Sequence, residues 1–371
     1  MRVRRFRPPR RASLTLLFAA FIAIWASCGA SDGDGFVPRP DPETVPLFDE
    51  SAVLDFHLSF PAGEWDKLLK LRGEPATRWV KCGFRFGTAT FPEAACRRKG
   101  NMFDWDRTEA KPQLIVRFNH ATAGGRFMGM RRLNLEYYSD WAAPVRDRLG
   151  MWLMREAGVP ASRVNHVRVF KDGALLGLYQ NIEPVDREWL ENHFGGPNAD
   201  GNLWESGEQL QTNESHADPA KLMAFHALVE AEPLTGDHQA FWAALAKMMD
   251  VKQVLREMAA ETALITHDNF SNNLLNYYLY EHPKRGLLVL PWDFDDILIP
   301  EFVDADPYTF WEHGEPGKLR LLMNQNPAWK AEYDAHLIDI RDRILAKMPA
   351  YLDRICMQIR PTVLEETTTD Y

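Results

Sequence analysis

Cysteine is scarce in this chain, at four residues in 371, and cations are outnumbered: 43 Lys and Arg face 52 Asp and Glu, a formal net charge of −9. A deficit of positive charge argues against nucleic acid as a main partner, since phosphate backbones need a net basic face. The chain has no internal repeat, no low-complexity segment and no G-x-G-x-x-G glycine loop. With 46% hydrophobic and 26% charged residues it is neither a disordered chain, a collagen nor a coiled coil. Its length suits one large domain or two lobes with ample core.

No apolar run is long enough to span a bilayer, which takes about 20 residues. The longest, Leu14 to Ala26, has 13 and follows a basic stretch, MRVRRFRPPRR. The first 27 residues hold six arginines and no acid, and without them the rest of the chain stands at −15. A basic n-region before a short apolar core reads as an export signal over 1–27. Ala26-Ser27-Cys28 resembles a lipobox, in which the cysteine is lipidated after cleavage; an ordinary secretory signal or a short uncleaved anchor is the alternative. Residues 28–46, rich in Gly, Asp and Pro, read as a flexible tether. The expected protein is therefore exported to the cell envelope and held on the membrane through Cys28. Of the other cysteines, Cys82 and Cys96 are close in sequence and near two extended segments, so they are the expected pair, with Cys356 left over. Three free thiols is the alternative.

Periodicity divides the remainder. Residues 52–60 (AVLDFHLSF) alternate strictly, Val80–Phe86 repeats the pattern, and Leu114–Phe118 is a further strand. Pro144–Ala157 is helical, stopped by Gly158 and Pro160. Val164–Phe170 and Leu175–Ile182 flank Asp172-Gly173, a hairpin signal. After Gly201 the period becomes helical: Leu222, Phe225, Leu228 and Val229 form one stripe, and Val251 to Ile265 another, with Asp250 placed to cap. One hairpin interrupts it, Leu274–Tyr280 and Leu287–Leu290, and helices return from Pro327 to about Ile359. The expected fold class is α+β, with a sheet-rich half (47–200) before a helix-rich half (201–371).

Chemistry concentrates in residues 267–296, HDNFSNNLLNYYLYEHPKRGLLVLPWDFDD. Asn273 lies five residues after Asp268; a strand, a turn and a strand follow, then Asp293-Phe294-Asp295. That order matches a phosphoryl-transfer site, where an acid meets the acceptor hydroxyl and an amide and a second acid hold Mg²⁺. The motif reads H-D-x-x-x-x-N and D-F-D, where protein kinases have H-R-D-x-x-x-x-N and D-F-G. Asp295 replaces the glycine and could add a carboxylate near the metal. Each residue also has a plainer reading: Asp268 as a loop cap, Asn273 as a turn amide, Asp293 and Asp295 as a structural metal loop. His267 is expected to be structural.

With these segments in hand, the chain resembles the spore-coat CotH kinase family over about residues 50–300. The resemblance is carried by RRKGN (97–101), KPQLIVRF (111–118), the 126–163 segment RFMGMRRLNLEYYSDWAAPVRDRLGMWLMREAGVPASR, GLYQNIEPVD (177–186), GNLWE (201–205), NNLLNYYLY (272–280) and PWDFDD (291–296). It implies a divergent, two-lobed protein-kinase-like fold that uses ATP with Mg²⁺ or Mn²⁺ to phosphorylate Ser or Thr of secreted, surface or coat proteins. By resemblance Asp268 would be the catalytic base, Asn273 and Asp293 the metal ligands, and Asp295 an auxiliary. Lys99, Lys111 and Arg132 would be candidates to grip phosphates. Glu183 would pair with one of the lysines. Where the family often has lysine, this chain has Glu205 and Arg131-Arg132. A binding or adhesion protein on the same fold and a metal-dependent hydrolase are the competing functions.

Overall fold

Alternation in the first strand segment resolves into a strand over Leu54–Ser59 (β1), which buries Phe56 and Leu58. The computed structural model describes residues 40–70, 78–99, 111–137, 143–266, 268–309 and 317–366. A short helix, Glu64–Lys70 (α1), precedes Val80–Phe86 (β2), Ala89–Arg98 (β3), Leu114–Arg117 (β4) and Arg132–Glu136 (β5). Helix Arg146–Glu156 (α2) leads to Val164–Lys171 (β6) and Ala174–Ile182 (β7). Asp172 and Gly173 both take positive φ, 48° and 90°, as a two-residue hairpin turn between right-twisted strands demands. The seven strands close into a barrel in the order β1-β2-β3-β4-β5-β7-β6, with β6 returning parallel to β1. Closure removes both sheet edges. Phe56, Phe84, Phe118 and Phe127 fill the interior, with ring centroids 4.9–5.4 Å apart, three of the four contacts edge-to-face.

Helix Arg187–His193 (α3) follows, capped by Asp186, whose side chain accepts the Trp189 N–H. Strands Leu203–Glu205 (β8) and Gln209–Leu210 (β9) come next, then helices Ala220–Ala231 (α4), Gln239–Met248 (α5) and Val251–Leu264 (α6). Asp250 caps α6 as expected, accepting from Gln253 N–H. The hairpin Tyr277–His282 (β10) and Gly286–Pro291 (β11) joins β8 and β9 in a second sheet, ordered β11-β10-β8-β9. Helices Lys318–Asn324 (α7), Pro327–Asp339 (α8) and Met348–Glu365 (α9) complete the described chain. The fold is thus mixed α and β, with one large closed sheet and a helix-rich second half. Two main cores form, one inside the barrel and one among α2, α6, α8 and α9. Val164, Leu178 and Ile182 of the barrel belong to the second, so the cores do not divide at residue 200.

Two boundaries differ from expectation. The expected signal segment, Cys28 and most of the expected tether lie outside the described residues, but residues 42–46 form a turn and the start of a short 3-10 helix anchored at Thr44. Thr44 is buried, its hydroxyl donates to the Asp41 carbonyl and it accepts from Arg163. Leu274–Asn276 are not strand. Leu274 and Asn276 take φ of 59° and 53°, because the polar network of the preceding loop outweighs their β preference.

Cys82 and Cys96 are bonded across β2 and β3, with Cα atoms 5.9 Å apart, and Cys356 is an exposed free thiol on α9. The bond closes a loop of about 15 residues, worth about 3 kcal/mol in the chain-entropy model. Cys82→Ala/Cys96→Ala should lower the unfolding free energy by that order in urea titration, and reduction of the parent should do the same.

Buried histidines set the acid response. His166 is fully buried beside Arg148 and bonds the Pro144 carbonyl through Nε2. Burial, then the Arg148 charge, lowers its pKa to about 3. The unfolded chain takes this proton near pH 6.5 and the folded one does not, so stability is intact above that pH and falls as pH drops toward 3. Between pH 7.5 and 5.0 His166 alone should cost about 2 kcal/mol, and His166→Gln should flatten the pH dependence of the urea midpoint by that amount.

Candidate active site

The loop after α6 is suspended from buried side chains. Glu261 accepts the backbone N–H groups of Phe270 and Ser271, at 3.1 and 3.2 Å. Arg320 of α7 donates to Ser271 Oγ at 2.9 Å and Asn272 Oδ1 at 3.2 Å. Asn269 ties the loop to itself, its Oδ1 accepting Asn272 N–H and its amide reaching the Thr266 carbonyl. The loop carries Asp268, whose two carboxylate oxygens accept one amide each, from Asn273 and from Asn276. That pins the carboxylate and turns the Asn273 carbonyl away from it. Asn273 Oδ1 is buried with no hydrogen-bond partner, an acceptor left for something the protein does not supply. His267 lies outside the described residues.

The D-F-D segment is placed by the β10–β11 ladder. Trp292 N–H bonds the Asn276 carbonyl at 3.0 Å, so Asp293 leaves the ladder where the Asp268 loop enters it. Asp293 takes φ of 55°, in the left-handed region. Phe294 packs against α2, where a Cβ on Gly150 would come within 2.6 Å of it, and its N–H bonds Asp147 Oδ1 at 2.8 Å. Arg146 of the same helix holds the Asp295 carbonyl at 2.9 Å.

Opposite stands Lys99, just past β3. It pairs with the fully buried Glu136 of β5 at 2.6 Å and lies over the Trp292 ring at 5.3 Å. Burial pulls the Lys99 pKa down, but Glu136, Asp293 and Asp147 outweigh it and leave it raised. The carboxylates repel one another. Asp147 is pushed well above the usual range by burial, then by Asp293 and Glu136. Asp295 is pushed up to about 9 by burial, then by Asp293, Asp147 and Asp296. Excess negative charge and an orphaned amide oxygen suit a hard divalent cation, which takes oxygen ligands. Among the described residues no group of three or more His, Cys, Asp or Glu is arranged to hold a metal by itself. Mg²⁺ commonly uses one or two carboxylates and completes its shell with phosphate and water, so Asn273, Asp293 and Asp295 fit it.

Of the two other expected phosphate contacts, Lys111 falls elsewhere. Lys111 is fully buried in an ion pair with Glu366 at 2.5 Å, over the Tyr137 and Tyr179 rings, and burial lowers its pKa to about 8 against the pull of Glu366. With no exposed surface it is a structural cation, not a phosphate grip. Glu183 does not meet either lysine: it is held by Arg163 at 2.5 Å and His193 at 3.0 Å, and despite burial those charges keep it below the carboxylate range. Glu136 takes the part expected of Glu183. Arg132 is half-buried and pairs with Asp186 at 3.2 Å. Sequence reasoning missed Asp147, Glu136, Glu261 and Arg320. Glu261 was the most findable, an acid one residue from the apolar stripe of α6.

The family model for the CotH kinase protein matches residues 97–371, from the start of the Lys99 segment through both acidic loops. The chain belongs to the CotH kinase family. No curated protein matches the chain.

Proposed function

We propose that this protein is an exported, ATP- and divalent-metal-dependent protein kinase, on a two-lobed kinase-like fold, that phosphorylates Ser or Thr of secreted or surface proteins and is held on the membrane by a lipid on Cys28. The observation that carries the reading is the opposition of the Lys99–Glu136 pair to Asp293, with the pinned Asp268 and the orphaned Asn273 oxygen beside the same hairpin. Lys99 holds the nucleotide phosphates as a point charge, while Glu136 fixes its position. Asp268, oriented by two amides, takes the proton of the acceptor hydroxyl. Asn273 and Asp293 hold Mg²⁺ or Mn²⁺, with Asp295 as auxiliary, and the ion neutralises phosphate charge when bound. Family membership supports the kinase class. Calorimetric titration of ATP with and without Mg²⁺ or Mn²⁺ tests it: metal-dependent binding is expected, and no heat under any condition would favour a non-catalytic binding protein.

A further inference from the structure

Beyond Lys99 the outer face of the barrel turns strongly basic. Alternation sends Cys96, Leu114, Val116, Leu133 and Leu135 into the barrel core, and Arg97, Arg117 and Arg132 outward. Arg117 and Arg132 are directly opposed in register across β4 and β5. The guanidiniums of Arg97 and Arg117 both lie over the Trp79 ring, at 5.3 and 5.6 Å. Like charges opposed on neighbouring strands destabilise a sheet unless an anion joins them. Their repulsion registers in both groups: burial, then Arg132 and Arg117, lowers Arg97 against the pull of Glu205, and burial, then Arg131 and Arg132, lowers Arg117.

Nearby acids only partly offset this charge, and Glu205 acts on Arg97. Arg132 meets Asp186, while Arg126 and Arg131 share Glu188. Arg117 donates to a neutral partner, Asn119, at 2.7 Å. All three arginines are half-buried, so they remain reachable while partly shielded from water. Arg97 lies two positions before Lys99, about 7 Å, and Arg132 four positions before Glu136, about 13 Å. The patch adjoins the Lys99 site without sharing its carboxylates.

We propose that Arg97, Arg117 and Arg132 form a second anion site, which takes a phosphate group through guanidinium forks without a metal ion. The phosphate belongs either to the tail of a nucleotide or to an acceptor already phosphorylated. The site does not depend on phosphoryl transfer, and its test reads binding alone.

The test is calorimetric titration of inorganic pyrophosphate, in chelator and low salt, into the full chain. The parent should bind. Arg97→Gln/Arg117→Gln should weaken binding by about tenfold or more, the scale of lost charge-assisted bonds. Arg341→Gln/Arg343→Gln, which removes two exposed cations elsewhere, should leave it unchanged. Titrating Mg·ATP and a phosphoserine peptide into the same proteins assigns the source: loss of Mg·ATP affinity names the nucleotide, and loss of the peptide alone names the acceptor. No binding by the parent, or equal loss in both double variants, overturns the site. Should the first double variant misfold by circular dichroism, Arg97→Lys keeps the charge and removes the fork; undiminished affinity there overturns the proposal as well.

Discussion

Asp293→Ala is expected to abolish phosphoryl transfer and weaken Mg·ATP binding, whereas Asp268→Ala should leave that binding largely intact and lower the rate by about 10²- to 10⁴-fold. Both are carboxylates, but their settings differ. Asp293 lies in the field of Lys99, Asp147 and Asp295, at a point where negative charge is already crowded. A cation there relieves repulsion, and removing Asp293 removes a ligand. Asp268 sits instead on the loop held by Glu261 and Arg320, its oxygens fixed by Asn273 and Asn276. Fixed orientation suits a group that must meet a hydroxyl proton. Calorimetry of Mg·ATP on each variant, beside transfer assays, separates the roles. Equal loss of binding in both would reject this division of labour.

Lys99→Met should cost about 3 kcal/mol of stability and most of the activity. Removing one partner of a buried ion pair leaves the other charge uncompensated, at about 3–5 kcal/mol; Lys99 keeps some exposure, which places it at the low end. Glu136 would then share its surroundings with Asp147 and Asp293 without the Lys99 charge. Lys99→Met/Glu136→Leu should recover part of the loss, since the stranded charge is gone. Urea midpoints for the parent, the single and the double variant check this. Unchanged midpoints in the single variant would show that the pair is not a buried one.

Local structure was largely legible in the sequence where one face meets a core and the other meets water. β1, β2, β6, β7, α2 and α6 carry that alternation or stripe, and their bounds fall near those expected. β3 and β5 were missed. Pro92 interrupts the first, and the outward face of the second, Arg132, Asn134 and Glu136, is polar yet wholly or partly buried against the site. A strand whose polar face serves a site does not look half-solvated. Barrel closure was illegible for another reason, because the β1–β6 pairing joins residues more than a hundred apart. The Asp268–Asn273 contact and the hairpin leading to Asp293 were legible because their spacing is local. The Lys99–Glu136 pair was not, since two strands had to be aligned before the partner of Lys99 could be named. Lys111 and Glu183 were misassigned on the same ground: nothing local showed that Glu366 and Arg163 reach them first.

The proposed kinase activity requires that this site move the γ-phosphate of ATP onto protein. Incubating the purified protein with γ-labelled ATP, Mg²⁺ or Mn²⁺ and a generic acceptor tests it most directly. Label is expected on serine or threonine of the acceptor or of the protein itself, and is expected to be lost in Asp293→Ala. Label released only as free phosphate would make the site a hydrolase, and no turnover with intact Mg·ATP binding would make it a binding module; either result contradicts the claim.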